Sequence, residues 1–394
     1  MAQRFIRCSL CGLPHPAEET ECPVHRRPIV PAARVDLAAV SAVPAPAPMP
    51  EVSPRLTPDP AASRLTPDPA RPSRTGLAAP LLGALLAGRF RVTGVIAQGG
   101  MGVVYEGVHV SVGRPVAIKV LHPRYAQDPA AHARFQHEAS VAGSFGHPNI
   151  VEVFDLGALD DGVPFMVMER LVGETVTRRL QRERPLSLHL AVDIARQTLN
   201  ALVASHARGI LHRDLKPDNL FLVERAGGRP RVKVLDFGVS KALYGHAGGA
   251  KLTRAGYVMG TPAYMSPEQA RGEADLDARA DLYALGMILY ETLTGRLPFV
   301  ARSPLALLAE IQKSAPTRPR TLRAEIPDGL DALVMQCIAR DRAERPHDAL
   351  SMLRDLLAIP LPDASAPPDF DARPTPAPGE VHESQAVQVF ARKG

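Results

Sequence analysis

His212-Arg213-Asp214-Leu215-Lys216-Pro217-Asp218-Asn219 is the stretch whose reading decides this chain. Downstream of it comes Asp236-Phe237-Gly238, and upstream Val116-Ala117-Ile118-Lys119. Earlier still, Gln98-Gly99-Gly100-Met101-Gly102-Val103-Val104 lies between two strand-like runs. Glycines there let backbone N–H groups approach phosphates without a Cβ in the way. A lysine in an apolar strand needs a carboxylate partner, and Glu138 in the next helical segment is the candidate for Lys119. Taken together, the blocks offer a base, a cation for phosphates and oxygen ligands for a hard metal ion. Those are the parts that phosphoryl transfer needs. Any single Asp or Asn reads more simply as a turn or helix cap, so the argument rests on the joint order and spacing.

Composition excludes other classes. The net charge is +5 over 394 residues, with no lysine/arginine run interleaved with aromatics. Tryptophan is absent and aromatics make up 5%, which leaves no stacking platform for bases. Nucleic acid is therefore not an expected partner. No apolar run approaches the ~18 residues a bilayer span requires, and Cys8, Cys11 and Glu18-Glu19 interrupt any signal-like segment. The reading is a cytoplasmic protein without a membrane partner.

The 39 prolines crowd residues 28–80 and the last 35 residues. Such composition cannot bury enough apolar surface to offset ordering entropy. Residues 31–89 read as a disordered Pro/Ala-rich linker, and 359–394 as a disordered tail. Within the linker, Arg55-Leu56-Thr57-Pro58-Asp59-Pro60-Ala61 recurs as Arg64-Leu65-Thr66-Pro67-Asp68-Pro69-Ala70, either duplicated linker or a pair of phosphorylation or docking sites at Thr57 and Thr66. Pro80 to Gly88 is greasier and reads as packing against the small lobe.

From Phe90 the pattern becomes strand-like, through Val103–Glu106, Val116–Leu121 and Val163–Glu169, with helical spacing over 129–145. Beyond 170, helical spacing recurs in 188–207, 281–294, 304–313, 329–339 and 347–357. A strand-rich half followed by a helix-rich half is an α+β pattern, with lobes at 90–170 and 171–358 and a cleft between them.

Across roughly residues 90–358 these motifs resemble the eukaryotic-like serine/threonine protein kinases of bacteria. The resemblance implies the two-lobed protein kinase fold, ATP with Mg²⁺ or Mn²⁺ as cofactors, and protein substrates. On it, Asp214 accepts or orients the substrate hydroxyl, Lys216 neutralises the transferred phosphoryl group, and Asn219 and Asp236 hold the metal. The nucleotide set it implies is Ile96, Ala97, Gln98, Gly99, Gly100, Met101, Gly102, Val104, Ala117, Lys119, Glu138, Met168, Glu169, Leu171 and Phe221. Lys119 faces the α and β phosphates. Met168 guards the back of the adenine slot, Glu169 and Leu171 present backbone groups to the adenine edge, and the apolar residues sandwich the ring. Ala97 stands where the family's pattern has glycine. Lys216 and Gly260-Thr261-Pro262-Ala263-Tyr264-Met265-Ser266-Pro267-Glu268 point to serine or threonine as acceptor. Glu268 is expected to pair with Arg345, and Asp281 to cap the catalytic-loop backbone.

The resemblance also frames control. Thr253 lies in the activation segment, with Arg213 and Lys241 as cations for a phosphate there, so autophosphorylation in trans, with self-association, is the expectation. Four residues after Glu138 the family usually has leucine, and this chain has Ala142. Either Val141 refills that volume or a second-domain or dimer contact seats the helix. At the amino terminus, Cys8-x-x-Cys11 and Cys22-x-x-His25 resemble the knuckles of a zinc ribbon over residues 1–30, with Zn²⁺ in a structural role. Rival readings are a kinase-like scaffold with little catalysis and a small-molecule kinase, the second disfavoured by Lys216 and the Thr261 segment.

Overall fold

The computed structural model describes residues 5–7, 14–16, 81–99, 102–126, 128–225, 228–237 and 262–362. First come two short strands, β1 (Phe5–Arg7) and β2 (Pro14–Pro16), paired antiparallel. Cys8, Cys11, Cys22 and His25 lie outside the described residues.

The small lobe is one antiparallel sheet. Its strands are β3 (Leu85–Leu86), β4 (Phe90–Gln98), β5 (Gly102–His109) and β6 (Arg114–Leu121). Two helices follow, α1 (Pro123–Ala126) and α2 (Pro129–Gly143), and then β7 (Val153–Ala158) and β8 (Pro164–Glu169). The strand order is β3-β4-β5-β6-β8-β7. Alternation sets its faces: Phe90 and Val92 of β4 are buried while Arg91 and Thr93 are exposed. The linker expected to reach residue 89 gives way earlier, at Leu81. Leu85 and Leu86 pair with Arg91 and Phe90, and Leu81, Ala84 and Leu86 join the small-lobe core. The greasy run outweighed its Pro/Ala-rich surroundings because those leucines cover an otherwise open sheet edge.

The large lobe begins with β9 (Gly173–Thr175), α3 (Val176–Arg182) and α4 (Leu188–His206). Strands β10 (Leu220–Val223) and β11 (Arg231–Val234) complete a three-stranded sheet in the order β11-β10-β9. Then come α5 (Pro267–Arg271), α6 (Arg279–Thr294), α7 (Pro304–Lys313), α8 (Pro319–Leu322), α9 (Asp328–Cys337) and α10 (Ala349–Ala358). Helix starts follow their caps: Ser187 accepts from Leu190 N, and Ser266 and Gln269 form a reciprocal capping box. Every residue of α6 from Ala280 to Leu293 is buried, which marks it as the central post of this lobe. Among the described residues no helix is long and apolar enough to cross a membrane.

Gly286 sits mid-way along α6, where glycine costs about 1 kcal/mol relative to alanine. Its reason is contact: a Cβ there would lie 2.5 Å from Cys337 Cβ on α9. Gly286→Ala is therefore expected to destabilise the large lobe by about 1–3 kcal/mol in urea unfolding. Adding Cys337→Gly should restore part of the loss. Unchanged stability in the single variant would mean that α6 and α9 are not in close contact.

Candidate active site

Strand β6 presents Lys119 toward the cleft, and its ammonium is held by carboxylates from two other elements. Nζ lies 2.8 Å from Glu138 Oε1 on α2 and 2.7 Å from Asp236 Oδ1 just beyond β11. Burial alone would lower the Lys119 pKa, but Asp236 and Glu138 override it and raise it. Burial pushes Glu138 up despite the opposing charge of Lys119. Loss of water alone would also raise Asp236, yet the charge of Lys119 and its hydrogen bonds hold that carboxyl below the usual range. The site thus favours a charged lysine and an ionised Asp236, whose side chain is 49% exposed to the cleft.

The second group comes from the catalytic loop between α4 and β10. Lys216 Nζ donates to Asp214 Oδ2 at 2.7 Å, and Asn219 Nδ2 donates to the Asp214 carbonyl at 2.9 Å. That bond orients Asn219 with its amide oxygen as the remaining donor atom. Asp281 of α6 holds the loop from below, accepting from His212 N and Arg213 N, each at 2.8 Å, and facing His206 Nε2 at 2.8 Å. Burial alone would raise Asp281, but His206 and these bonds bring it down. Gln269 Nε2 donates to the Arg213 carbonyl at 2.8 Å. Arg213 and Asp236 both have positive φ, 64° and 46°, in a region that non-glycine residues seldom enter. Asp214, Lys216, Tyr264, Met265 and Gln269 line one small cleft.

Of the adenine-slot candidates, Val104, Ala117 and Met168 share one face of the small-lobe sheet with Lys119. Cross-strand register sets Val104 beside Lys119, and Ala117 beside both Glu106 and Met168. Ala97 lies in β4 opposite Val104, so extended backbone suits it. Ile96 sits at a register shift in the same strand, 40% exposed. Glu169 ends β8, Leu171 follows in the hinge, and Phe221 lies on β10. Gln98 ends β4, Gly99 follows it, and Gly102 opens β5 with no room for a Cβ, which would lie 2.1 Å from the Val120 carbonyl oxygen. Gly100, Met101, Lys241, Thr253 and Thr261 lie outside the described residues.

Residues 90–356 match the protein kinase domain family model. This chain belongs to the serine/threonine protein kinase family. It is 40% identical over 280 residues to the serine/threonine-protein kinase pkn3 of Myxococcus xanthus, covering 71% of this chain and 51% of that protein. Similarity to PknL of Mycobacterium tuberculosis is 37% over 308 residues, covering 78% and 74%. The first of these relatives is thus about twice as long as the part that matches. Among solved structures, the PknI kinase domain of Mycobacterium tuberculosis is similar at 28% identity and TM-score 0.55, covering 72% of this chain and 98% of that one. Rad53 in complex with AMP-PNP is similar at 25% identity and TM-score 0.55, covering 67% and 64%.

Both structural pairings expected in this kinase are present. Arg345 donates to both Glu268 oxygens, at 2.6 and 2.8 Å, and Asp281 caps the catalytic loop. Sequence reasoning missed His206 and Gln269, which act on the loop through Asp281 and Arg213. A histidine at the end of α4, shortly before the loop, was the available signal for His206; for Gln269 there was none. Ala142 itself is buried, with Val141 and Phe145 as the nearby apolar residues that could fill out its small side chain. Val141 and Phe145 both join the large-lobe core, and the Phe145 ring lies 5.3 Å from Phe237, which in turn lies 5.0 Å from His212. Phe145→Ala is expected to cost about 3–5 kcal/mol in denaturant unfolding, with Phe145→Leu costing less. A Phe145→Ala protein as stable as the parent would show that this aromatic contact does not fill the gap.

Proposed function

We propose that this protein transfers the γ-phosphoryl group of ATP to serine or threonine hydroxyls of protein substrates. One observation carries the reading: Lys119 is within 2.8 Å of both Glu138 and Asp236, groups contributed by opposite lobes. That convergence readies a cation for the α and β phosphates beside a carboxylate for the metal. AMP-PNP in Rad53 supports a nucleotide in the corresponding cleft. Asn219 and Asp236 suit Mg²⁺ or Mn²⁺ because both offer hard oxygen donors. When bound, the ion neutralises charge on the phosphates. Asp214 orients the acceptor hydroxyl and takes its proton, and Lys216, 2.7 Å from that carboxylate, faces the charge building on the transferred group. The hydroxyl–phosphorus bond forms as the bond to the ADP oxygen breaks. Use of ATP goes with a cytoplasmic position for this domain.

The same reading extends to control. Among the described residues, Arg213 Nε is buried without a hydrogen-bond partner, which supports a phosphate site there for phosphorylated Thr253, with Lys241 as a second cation. The route is phosphorylation of one copy by another. With radiolabelled ATP, the full chain should label itself and a generic protein acceptor, and peptide mapping should find phosphate on Thr253. Asp214→Asn should lower the rate by about 10²–10⁴-fold. Equal labelling by Asp214→Asn would favour the scaffold reading, and phosphate confined to other residues would remove Thr253 from the scheme.

Cys8, Cys11, Cys22 and His25 form the proposed zinc site. Its support is the Cys-x-x-Cys and Cys-x-x-His spacing, with the first pair falling in the connection between the paired strands β1 and β2. With four protein ligands the ion has no open position, so its role is structural. Purified full-length protein should contain about one zinc per chain by elemental analysis, lost in a Cys8→Ser/Cys22→Ser variant. Equal zinc in both proteins would exclude these ligands.

A further inference from the structure

The hinge next to the proposed adenine slot is tied to the metal-binding strand by a lysine that the reaction scheme does not use. Lys233 lies on β11, three residues before Asp236, and is only 9% exposed. Its ammonium donates to Glu169 Oε1 at 2.5 Å and to the Ile150 carbonyl at 3.1 Å. The same Glu169 oxygen accepts from Glu152 N at 2.8 Å, while Glu169 N donates to the Glu152 carbonyl at 2.9 Å. Across the β10–β11 pair, Phe221 stands directly opposite Lys233, so their side chains share a face. One cation thus touches the residue that ends β8 and flanks the apolar residue offered as the floor of the adenine slot. Its strand also leads into Asp236.

Burying a lysine and a glutamate together is a weak way to gain stability, because the desolvation cost offsets most of the attraction. A well-packed apolar pair would fill the space at least as well. What an ion pair adds is a fixed distance between its two elements, with further hydrogen bonds locking both ends. Here the elements are the hinge and the strand before the metal ligand. We infer that Lys233 is a positioning residue for the nucleotide: through Glu169 it sets the hinge backbone against Phe221 and Asp236, so that base and phosphates are received in register. This inference rests on the ATP reading given above. Its signature is a rise in the KM for ATP with kcat and the KM for protein acceptor little changed, since pre-organisation of the base site acts on nucleotide binding.

The test compares full-length parent, Lys233→Met, Lys233→Arg and the double variant Glu169→Gln/Lys233→Met in steady-state ATP titrations and thermal unfolding. Lys233→Met strands a buried carboxylate and is expected to lower Tm. The double variant removes that stranded charge while keeping an acceptor for Glu152 N, so its Tm recovers. If Lys233 positions the hinge, the KM for ATP rises about ten-fold in Lys233→Met and stays raised in the double variant, while Lys233→Arg restores it in part. A KM that recovers along with Tm would assign Lys233 a purely structural role and overturn the inference, as would a KM equal to the parent's in Lys233→Met. A parent protein that turns over no ATP would instead overturn the proposed function, so the two failures are distinguishable.

Discussion

A charged lysine on an apolar strand is the constraint from which the arrangement of the lobes follows. Lys119 is nearly enclosed, its side chain 14% exposed, and an enclosed ammonium is tolerable only with carboxylates at hydrogen-bond distance. Those carboxylates come from α2 and from the segment after β11. Satisfying Lys119 therefore draws the small-lobe helix inward and brings the large-lobe Asp236 up beneath the sheet. Two carboxylates near one cation leave negative charge of the kind that a divalent ion would offset.

Beneath that convergence lies a second constraint, the backbone of the catalytic loop. Arg213 and Asp236 occupy positive φ at a cost of order 1–3 kcal/mol each. The cost is met by partners on either side. Asp281 binds two successive backbone N–H groups, Gln269 binds the Arg213 carbonyl that follows them, and Leu235 N donates to the Asn219 carbonyl at 2.8 Å. Because Asp281 belongs to a fully buried helix, the loop inherits the rigidity of the whole large-lobe core. The strained conformation is held by packing remote from the loop itself.

The candidate constellation was legible because Asp214, Lys216 and Asn219 fall in one short run of chain, where spacing survives as a readable pattern. Long-range pairs such as Glu268–Arg345, 77 residues apart, were legible only through resemblance to a family. Lys233 escaped notice for a physical reason: in Arg231-Val232-Lys233-Val234 it looks like the polar position of an alternating strand, and alternation does not say that the polar face is itself covered. Phe145 was read as part of the α2 spacing, yet the helix ends at Gly143 and the ring turns into the other lobe's core. Leu81 to Leu86 show the converse, a local apolar run prevailing over a composition that argued for disorder.

The place of Phe145 in the large-lobe core bears on how the lobes are coupled. Helix α2 buries Ala131, Phe135 and Ala139, spaced by four, into the small-lobe core, whereas Val141 and Phe145, again spaced by four, belong to the large-lobe core. Two alanines on the first stripe offer little area, so α2 is not fixed to its own sheet by burial alone. Its seat depends on Glu138 meeting Lys119 at mid-helix and on Phe145 meeting Phe237 beyond its end. The first contact is electrostatic and feels whatever charge enters the cleft; the second is apolar and feels the position of the segment carrying Asp236. Charge in the cleft and the position of Phe237 therefore act on the same helix through different forces. Because Phe145 lies just past the helix end at Gly143 and packs in the large-lobe core, the segment from Ser144 to Asn149 is part of the coupling between lobes.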